Sequence, residues 1–292
     1  MNGRFEGHTV VITGVNDRGI GGAIARRFAE EGASLALLWH ERPNRLLKLM
    51  GKRQDDVLEI PCDVTQQECV DASIDSIVQR FGKIDILVNN AGIDHSGCLE
   101  DLADEDWSRV IDVNLTGAMR MIRSCLPHIT EGSGAIVNLA SVLGLAGCGG
   151  FPAYSATKAG MIGLAQSLAM ELAPRGIRAV CVAPALVMSP MTHKYLTSLD
   201  ENFDQELAKS HPLGPGTPQD VAAAVAFVAS QEARWITGIT LPLGWSAAFP
   251  LPMQQFLVPR QKRNDAGELK NQAQVNDSFS DDDDGILPMR AA

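Results

Sequence analysis

Short apolar runs alternate with longer amphipathic stretches along most of the chain. HTVVIT (8–13) reads as a buried strand, after which Ile20, Ala23, Ile24, Ala25 and Phe28 keep helical spacing up to Gly32. SLALLW (34–39) and DVLEIP (56–61) predict a second and a third strand. Gln67 to Phe81 predicts a helix with Val70, Ile74, Ile77 and Val78 on one face. IDILVNN (84–90) predicts a fourth strand, and Asp104 to about Cys125 one long helix with Pro127 near its end. GAIVNLA (134–140) predicts a fifth strand, and Tyr154 to Ala173 a helix stopped by Pro174 and Gly176. IRAVCVA (177–183), a helix over Gln219 to Ser230 and GITLPL (238–243) complete the series.

Strands that are apolar on both faces and alternate with helices predict an α/β fold. Its seven-stranded parallel sheet is doubly wound, with helices on both faces. Such sheets bind ligands beyond the carboxyl ends of their strands, where the strand order reverses. After about Ser246 the pattern stops: FPLPMQQFLVP is apolar and Pro-rich, PRQKR is basic and SFSDDDDG acidic. The expected organisation is a single domain over 1–248 and a largely disordered tail over 249–292. The Asp run lacks the ligand spacing of a calcium loop, so no metal site is expected there.

Composition narrows the function. The formal net charge of −10 argues against a broad basic surface for nucleic acid. Six scattered cysteines without a C-x-x-C pair suit reduced thiols in the cytoplasm. The first residues lack an apolar signal core, and no run of 18 apolar residues predicts a membrane span.

The chemistry-bearing residues follow strands. In TGVNDRGIGGAIA (13–25) a strand, a glycine-rich turn and a helix start meet, which favours a phosphate: glycines let the backbone approach, and free N–H groups attract anions. The general G-x-G-x-x-G spacing fails, because Ile24 stands at its sixth place. Tyr154 and Lys158 form Y-x-x-x-K, which puts both side chains on one helix face. Tyr is a poor acid near neutrality, with a reference pKa of about 10. A nearby ammonium favours the phenolate and makes Tyr usable as a general acid. Each motif alone also fits a plain turn or helix face.

Together they resemble the short-chain dehydrogenase/reductase family over residues 7 to about 248, which implies a Rossmann-type fold. T-G-x-G-I-G resembles that family's cofactor loop, with four residues between Gly14 and Gly19 where the family usually has three. The resemblance implies cofactor contacts from Gly14, Arg18, Gly19, Ile20 and Gly21. It extends them to Asp63 and Val64 at the adenine, and to Asn90, Ala91 and Gly92 of the NNAG signature. CVAPALVMSPM resembles the P-G-x-V-x-T segment and implies Pro184, Val187 and Ser189, with Ala185 and Ser189 departing from the pattern. Ser141, thirteen residues before Tyr154, resembles the Ser that hydrogen-bonds the substrate carbonyl. Asn114 resembles the Asn that positions a water next to the catalytic Lys. The implied catalytic set is therefore Asn114, Ser141, Tyr154 and Lys158, with Tyr154 and Lys158 also touching the cofactor.

NAD-type folds place an acid at the end of the second strand. Here that position is Trp39, followed by His40, Glu41 and Arg42. Family members that resemble this arrangement use basic residues at such positions for a 2′-phosphate, so Arg18, His40 and Arg42 favour NADP(H), while Glu41 speaks for NAD(H) as the alternative. The expected reaction passes a hydride between the nicotinamide and a carbonyl or secondary alcohol. The resemblance runs closest to 3-oxoacyl-carrier-protein reductases and glucose-dehydrogenase-like members, so a ketoreductase is expected. A sugar, polyol or other small-alcohol dehydrogenase is a second reading, and a non-catalytic cofactor-binding sensor or scaffold a third. Arg175 and Arg178 are candidates for docking an acidic carrier. The substrate pocket is expected around Ser141 to Leu143, Ala146 to Phe151, Ile93 to His95 and a lid over about Ser189 to His211. The glycines from Gly144 to Gly150 suggest a mobile wall. The resemblance also implies a homodimer or homotetramer, with Ala159, Gly163, Ala165 and Ala169 permitting close helix packing.

Overall fold

β1 (Thr9–Thr13) lies inside a seven-stranded parallel sheet and pairs with β2 (Ser34–Trp39) on one side and β4 (Ile86–Asn89) on the other. β3 (Val57–Pro61), β5 (Ala135–Leu139), β6 (Arg178–Pro184) and β7 (Thr240–Leu243) complete the order β3-β2-β1-β4-β5-β6-β7. The reversal between β1 and β4 is the switch point at which a ligand cleft is expected. The structure is a computed structural model that describes residues 3–50, 56–196 and 211–244. Contacts divide the chain into Met1–Val258 and Pro259–Ala292, and every described residue belongs to the first unit. The expected tail and most of the expected lid, 197–210, lie outside the described residues.

Alternate residues of each strand feed separate cores. Val10, Ile12, Leu35, Leu37, Ile86 and Val88 pack with α1 (Ile20–Glu30) and with the helix Pro218–Ala229. Val11, Ala36, Leu38, Leu87 and Ile136 pack with α3 (Gln67–Phe81) and with the helices of the opposite face. Each fully buried Val, Leu or Ile contributes roughly 1.5–3 kcal/mol, so both faces of the sheet are strongly specified.

The long helix expected over residues 104–125 is three pieces: α4 (Asp104–Ile111), a π turn (Asp112–Thr116) and α5 (Gly117–Cys125). Single π turns recur at functional sites, and this one contains Asn114. Three short helices were not legible as periodic runs: α2 (Asn44–Met50), α6 (Leu143–Ala146) and α8 (Pro190–Leu196). α7 (Pro152–Leu172) opens with Pro at its first position, and α9 (Pro218–Ala229) with a capping box between Thr217 and Asp220. Three glycines of the expected mobile wall have a geometric task. A Cβ at Gly144 would stand 2.6 Å from the Lys158 carbonyl carbon, so α6 packs backbone to backbone on α7, while Gly147 and Gly150 take positive φ.

Candidate active site

The first loop is built by strand ends holding one another. Thr13 Oγ1 is buried and accepts from the N–H groups of Asn90 and Ala91, both at 3.0 Å. Asn90 Nδ2 donates back to the carbonyls of Thr13 and Gly14, both at 2.9 Å. This lacing brings the loop after β1 so close to β4 that a Cβ at Gly14 (φ +66) would stand 2.6 Å from Ala91 Cα. A Cβ at Gly21 would stand 2.6 Å from Asn90 Nδ2. The longer loop is accommodated by two side chains. Asn16 Oδ1 accepts from Gly19 N–H at 2.5 Å, and Asp17 Oδ1 accepts from Leu46 N–H at 2.8 Å in the first turn of α2. The anion-ready helix start is thereby kept at Gly19–Gly21.

One cleft gathers most of the expected residues. Gly14, Gly19, Ile20, Gly21, Asn90 and Gly92 line it from the first loop and β4. Ser141, Tyr154, Lys158, Pro184, Val187 and Ser189 line it from the other half of the sheet. Asn16, Leu139 and Ala140 line it too and were not singled out from the sequence, as do Ala185 of the expected cofactor segment and Thr192 of the expected lid. Its glycine cradle suits a phosphate-bearing dinucleotide, because side chains at Gly14, Gly19 and Gly21 would collide with their neighbours.

Ser141 follows β5; its Oγ lies 3.4 Å from the Pro184 carbonyl and accepts from Leu143 N–H at 3.2 Å. Lys158 is 4% exposed, and its Nζ donates to the Leu139 carbonyl at 2.6 Å. The same ammonium stands 5.4 Å from the centroid of the Tyr154 ring, as the i, i+4 spacing demands. Asn114 does not line the cleft. Its Oδ1 accepts from Ile93 N–H at 2.8 Å, and its Nδ2 donates to Ile93 O at 2.8 Å and Thr157 Oγ1 at 3.2 Å. Thr157 in turn donates to the Tyr154 carbonyl at 2.7 Å. Asn114 thus ties the π turn to the loop after β4 and to α7.

Burial pushes the Lys158 ammonium down from 10.5 to about 8. In the unfolded chain the same amine keeps its proton to near 10.5, so stability rises with pH between those values. The penalty for burying the cation is in full force below about pH 8 and gone by 10.5. Lys158→Met is therefore expected to stabilise the cofactor-free protein at pH 7 by on the order of 2 kcal/mol. That gain should fade as thermal unfolding is repeated toward pH 10, and a gain independent of pH would contradict the assignment.

The remaining expected cofactor residues stand outside the cleft. Arg18, His40, Arg42 and Asp63 are exposed. Arg42 forks onto Glu59, at 2.9 and 3.4 Å. Asp63 Oδ1 accepts from the Thr65 N–H and hydroxyl, at 2.9 and 2.7 Å, which holds its carboxyl below the ordinary range. Val64 is buried, and a Cβ at Gly117 would stand 2.7 Å from its Cγ2. Trp39 Nε1 is buried without a hydrogen-bond partner. His211 was expected only as the end of a lid; it is buried and its Nε2 accepts from Leu186 N–H at 3.1 Å. Arg178 was read as a docking cation. It is 8% exposed instead, and its guanidinium donates to the carbonyls of Val228, Ala229, Ser230 and Ile236. Arg175 is committed to Glu131 and the Leu126 carbonyl.

The doubly wound sheet, the glycine cradle at its switch point and the Ser–Tyr–Lys wall define a dinucleotide-dependent oxidoreductase. A family model described as enoyl-(acyl carrier protein) reductase matches residues 14–243. The 3-oxoacyl-(acyl-carrier-protein) reductase FabG of Staphylococcus aureus is 38% identical over 238 residues, 80% of this chain and 95% of that protein. A solved short-chain dehydrogenase/reductase from Brucella melitensis, titled glucose/ribitol dehydrogenase, superposes with a TM-score of 0.75 at 31% identity, covering 83% of this chain and 97% of that one. A 3-ketoacyl-(acyl-carrier-protein) reductase from the same organism, complexed with NADH, superposes with a TM-score of 0.73 at 32% identity, covering 82% and 97%. The chain belongs to the short-chain dehydrogenase/reductase family and is an NAD(P)-dependent oxidoreductase. Among the described residues no cluster of His, Cys, Asp and Glu could hold a metal, and no helix is long and apolar enough to cross a membrane.

Proposed function

We propose that the protein reduces a neutral ketone of 3-oxoacyl type to the secondary alcohol, with NADPH preferred. The observation that carries this reading is the convergence of Ser141, Tyr154 and Lys158 with the first-loop glycines around one cleft. A bound nicotinamide dinucleotide would supply the hydride. The Tyr154 hydroxyl gives its proton to the carbonyl oxygen, and Ser141 Oγ–H donates a hydrogen bond to the same oxygen. Lys158, beside the Tyr154 ring, favours the phenolate left behind and holds the ribose hydroxyls. Asn114 has its side chain committed to Ile93 and Thr157, so that side chain positions the loop after β4 against α7 beside Lys158.

Leu139, Ala140, Val187 and Met191 give the cleft an apolar wall, which suits an uncharged acyl group. The burial of Arg178 and the pairing of Arg175 weaken the case for an acidic carrier. They favour free carbonyl compounds and keep a sugar or polyol as the second reading. Turnover of a free 3-keto ester, its carrier-bound form and glucose with each cofactor separates these. Activity on glucose alone would overturn the ketoreductase reading.

The preference for the phosphorylated cofactor rests on Arg18, His40 and Arg42, and on an indole N–H at Trp39 in place of a carboxylate. The NADH complex of the Brucella relative keeps NAD(H) as the alternative. Arg18→Ala is expected to weaken NADPH roughly 10–100-fold and NADH about twofold or less, as the loss of one charge-assisted phosphate contact. Glu59→Gln should free Arg42 and tighten NADPH. Equal losses for both cofactors in fluorescence titration would assign the protein to NAD(H).

We place the enzyme in the cytoplasm, where six free thiols are stable. We also propose a homodimer or homotetramer. Ala165 and Ala169 are spent on the core, but α7 presents Ala156, Ala159, Gly163 and Met170 to solvent, a surface smooth enough for a second helix. Light scattering of the purified chain tests this.

A further inference from the structure

We propose that Cys62 and Cys69 form a reversible thiol–disulfide site, closed by a small neutral peroxide, and that closing it weakens cofactor binding at the adjoining turn. Cys62 is the first residue after β3, and its N–H donates to the Trp39 carbonyl at the end of β2 at 2.9 Å. Cys69 lies in the first turn of α3, with its sulfur 3.9 Å from the carbonyl of Pro61, the residue preceding Cys62. Burial and the neighbouring Cys69 thiol push the Cys62 thiol up, against a pull down from Ser73, whose hydroxyl donates to the Cys69 carbonyl at 2.7 Å. Cys62 is 6% exposed, whereas Cys69 reaches the surface. Behind them the fully buried Cys125 of α5 belongs to the same apolar cluster. The group lacks a metal-binding arrangement, so its available chemistry is that of thiols.

The surroundings select the oxidant. Asp63, Glu68 and Asp71 flank the pair in sequence, and they repel an anionic disulfide such as oxidised glutathione but not hydrogen peroxide. The Cys69 thiolate attacks one peroxide oxygen; the O–O bond breaks, and hydroxide leaves and takes up a proton as water. The Cys62 thiol then attacks the resulting sulfenic sulfur, the S–O bond breaks, and a second water leaves with the thiol proton. Two thiols lose two protons and two electrons, and one peroxide becomes two waters. Burial pushes the Cys62 thiol up to about 11, so the half-buried Cys69 is struck first and Cys62 resolves it.

Between the two cysteines runs Asp63-Val64-Thr65. Its conformation depends on the Asp63–Thr65 hydrogen bonds and on Val64 seated against Gly117. A covalent S–S bond of about 2.05 Å draws α3 toward β3 and distorts that turn. The consequence for binding rests on the reading of Asp63 and Val64 as the adenine subsite; the disulfide itself does not.

The test treats the reduced full chain with roughly stoichiometric hydrogen peroxide. Peptide mapping by mass spectrometry locates the bond, and NADPH fluorescence titration is run before and after dithiothreitol. The expected result is a Cys62–Cys69 crosslink lacking two hydrogens, a loss of NADPH affinity of roughly tenfold, and recovery on reduction. Cys69→Ser should keep basal activity and resist the peroxide effect, whereas Cys125→Ser should behave as the parent. Sulfinic acid at Cys69 without a crosslink, or a crosslink to Cys125, would overturn the site. A crosslink that leaves NADPH affinity unchanged would overturn its consequence. Failure of the reduced chain to bind NADPH would sink the cofactor reading while the crosslink stood.

Discussion

Tyr154→Phe should lower kcat for ketone reduction by about 10³-fold, while the Kd for NADPH shifts less than about twofold. The substitution removes one oxygen and keeps the ring, so the contact with the Lys158 ammonium at 5.4 Å survives. Lys158 also keeps its anchor on the Leu139 carbonyl at 2.6 Å, and the glycine cradle is untouched. What disappears is the hydroxyl proposed as the proton donor to the developing alkoxide. Ser141 cannot replace it, because a seryl hydroxyl is a far weaker acid and can only polarise the oxygen. Steady-state kinetics beside a cofactor titration separates the two effects. An unchanged kcat would refute the role given to Tyr154, and a parallel collapse of NADPH binding would make it a structural residue.

The sheet was legible because parallel strands covered on both faces are written as unbroken apolar runs. VVIT, LALL and AVCV could hardly lie at a surface. The helix Gln67–Phe81 was legible to its ends, since an amphipathic stripe runs up to Gly82, whose φ of +78 ends it. The short helices α2, α6 and α8 lack the two turns that a stripe needs. The π turn at Asn114 leaves no periodic trace in five residues; it follows from the bonds of Asn114 to Ile93 and Thr157, which join segments far apart in sequence. Ser141, Tyr154, Lys158 and the loop glycines were named from motifs that resemble one family's, and the fold brings them to one cleft. Asn16 and Asp17 could not be found that way, since their task is to hold the longer loop from β1 to α1 against the start of α1 and against α2, visible only once both are folded.

Arg178 is the sharpest case of a charge whose meaning depends on the fold, and Arg178→Ala is expected to destabilise the protein by about 3–4 kcal/mol. At the head of β6 it looks like a surface cation, yet β6 starts beneath the carboxyl end of α9. Helices leave their last carbonyls unpaired, and a cation there also complements the helix dipole. The guanidinium meets Val228 O at 2.6 Å, Ala229 O at 3.0 Å, Ser230 O at 3.1 Å and Ile236 O at 3.3 Å. Burial lowers its pKa, but an Arg remains charged throughout the working range. Alanine would strand these carbonyls away from water, at about 1–3 kcal/mol for each one left unpaired and unrelaxed. The melting temperature should fall by about 6–16 °C, at 2–4 °C per kcal/mol for a domain of this size. Arg178→Lys should recover only part of the loss, because a compact ammonium cannot span four acceptors in a plane. A docking cation would give the opposite pattern: an unchanged melting temperature and a raised KM for a carrier-bound substrate alone. Scanning fluorimetry of both variants, with the KM for free and carrier-bound keto esters, decides between clamp and dock.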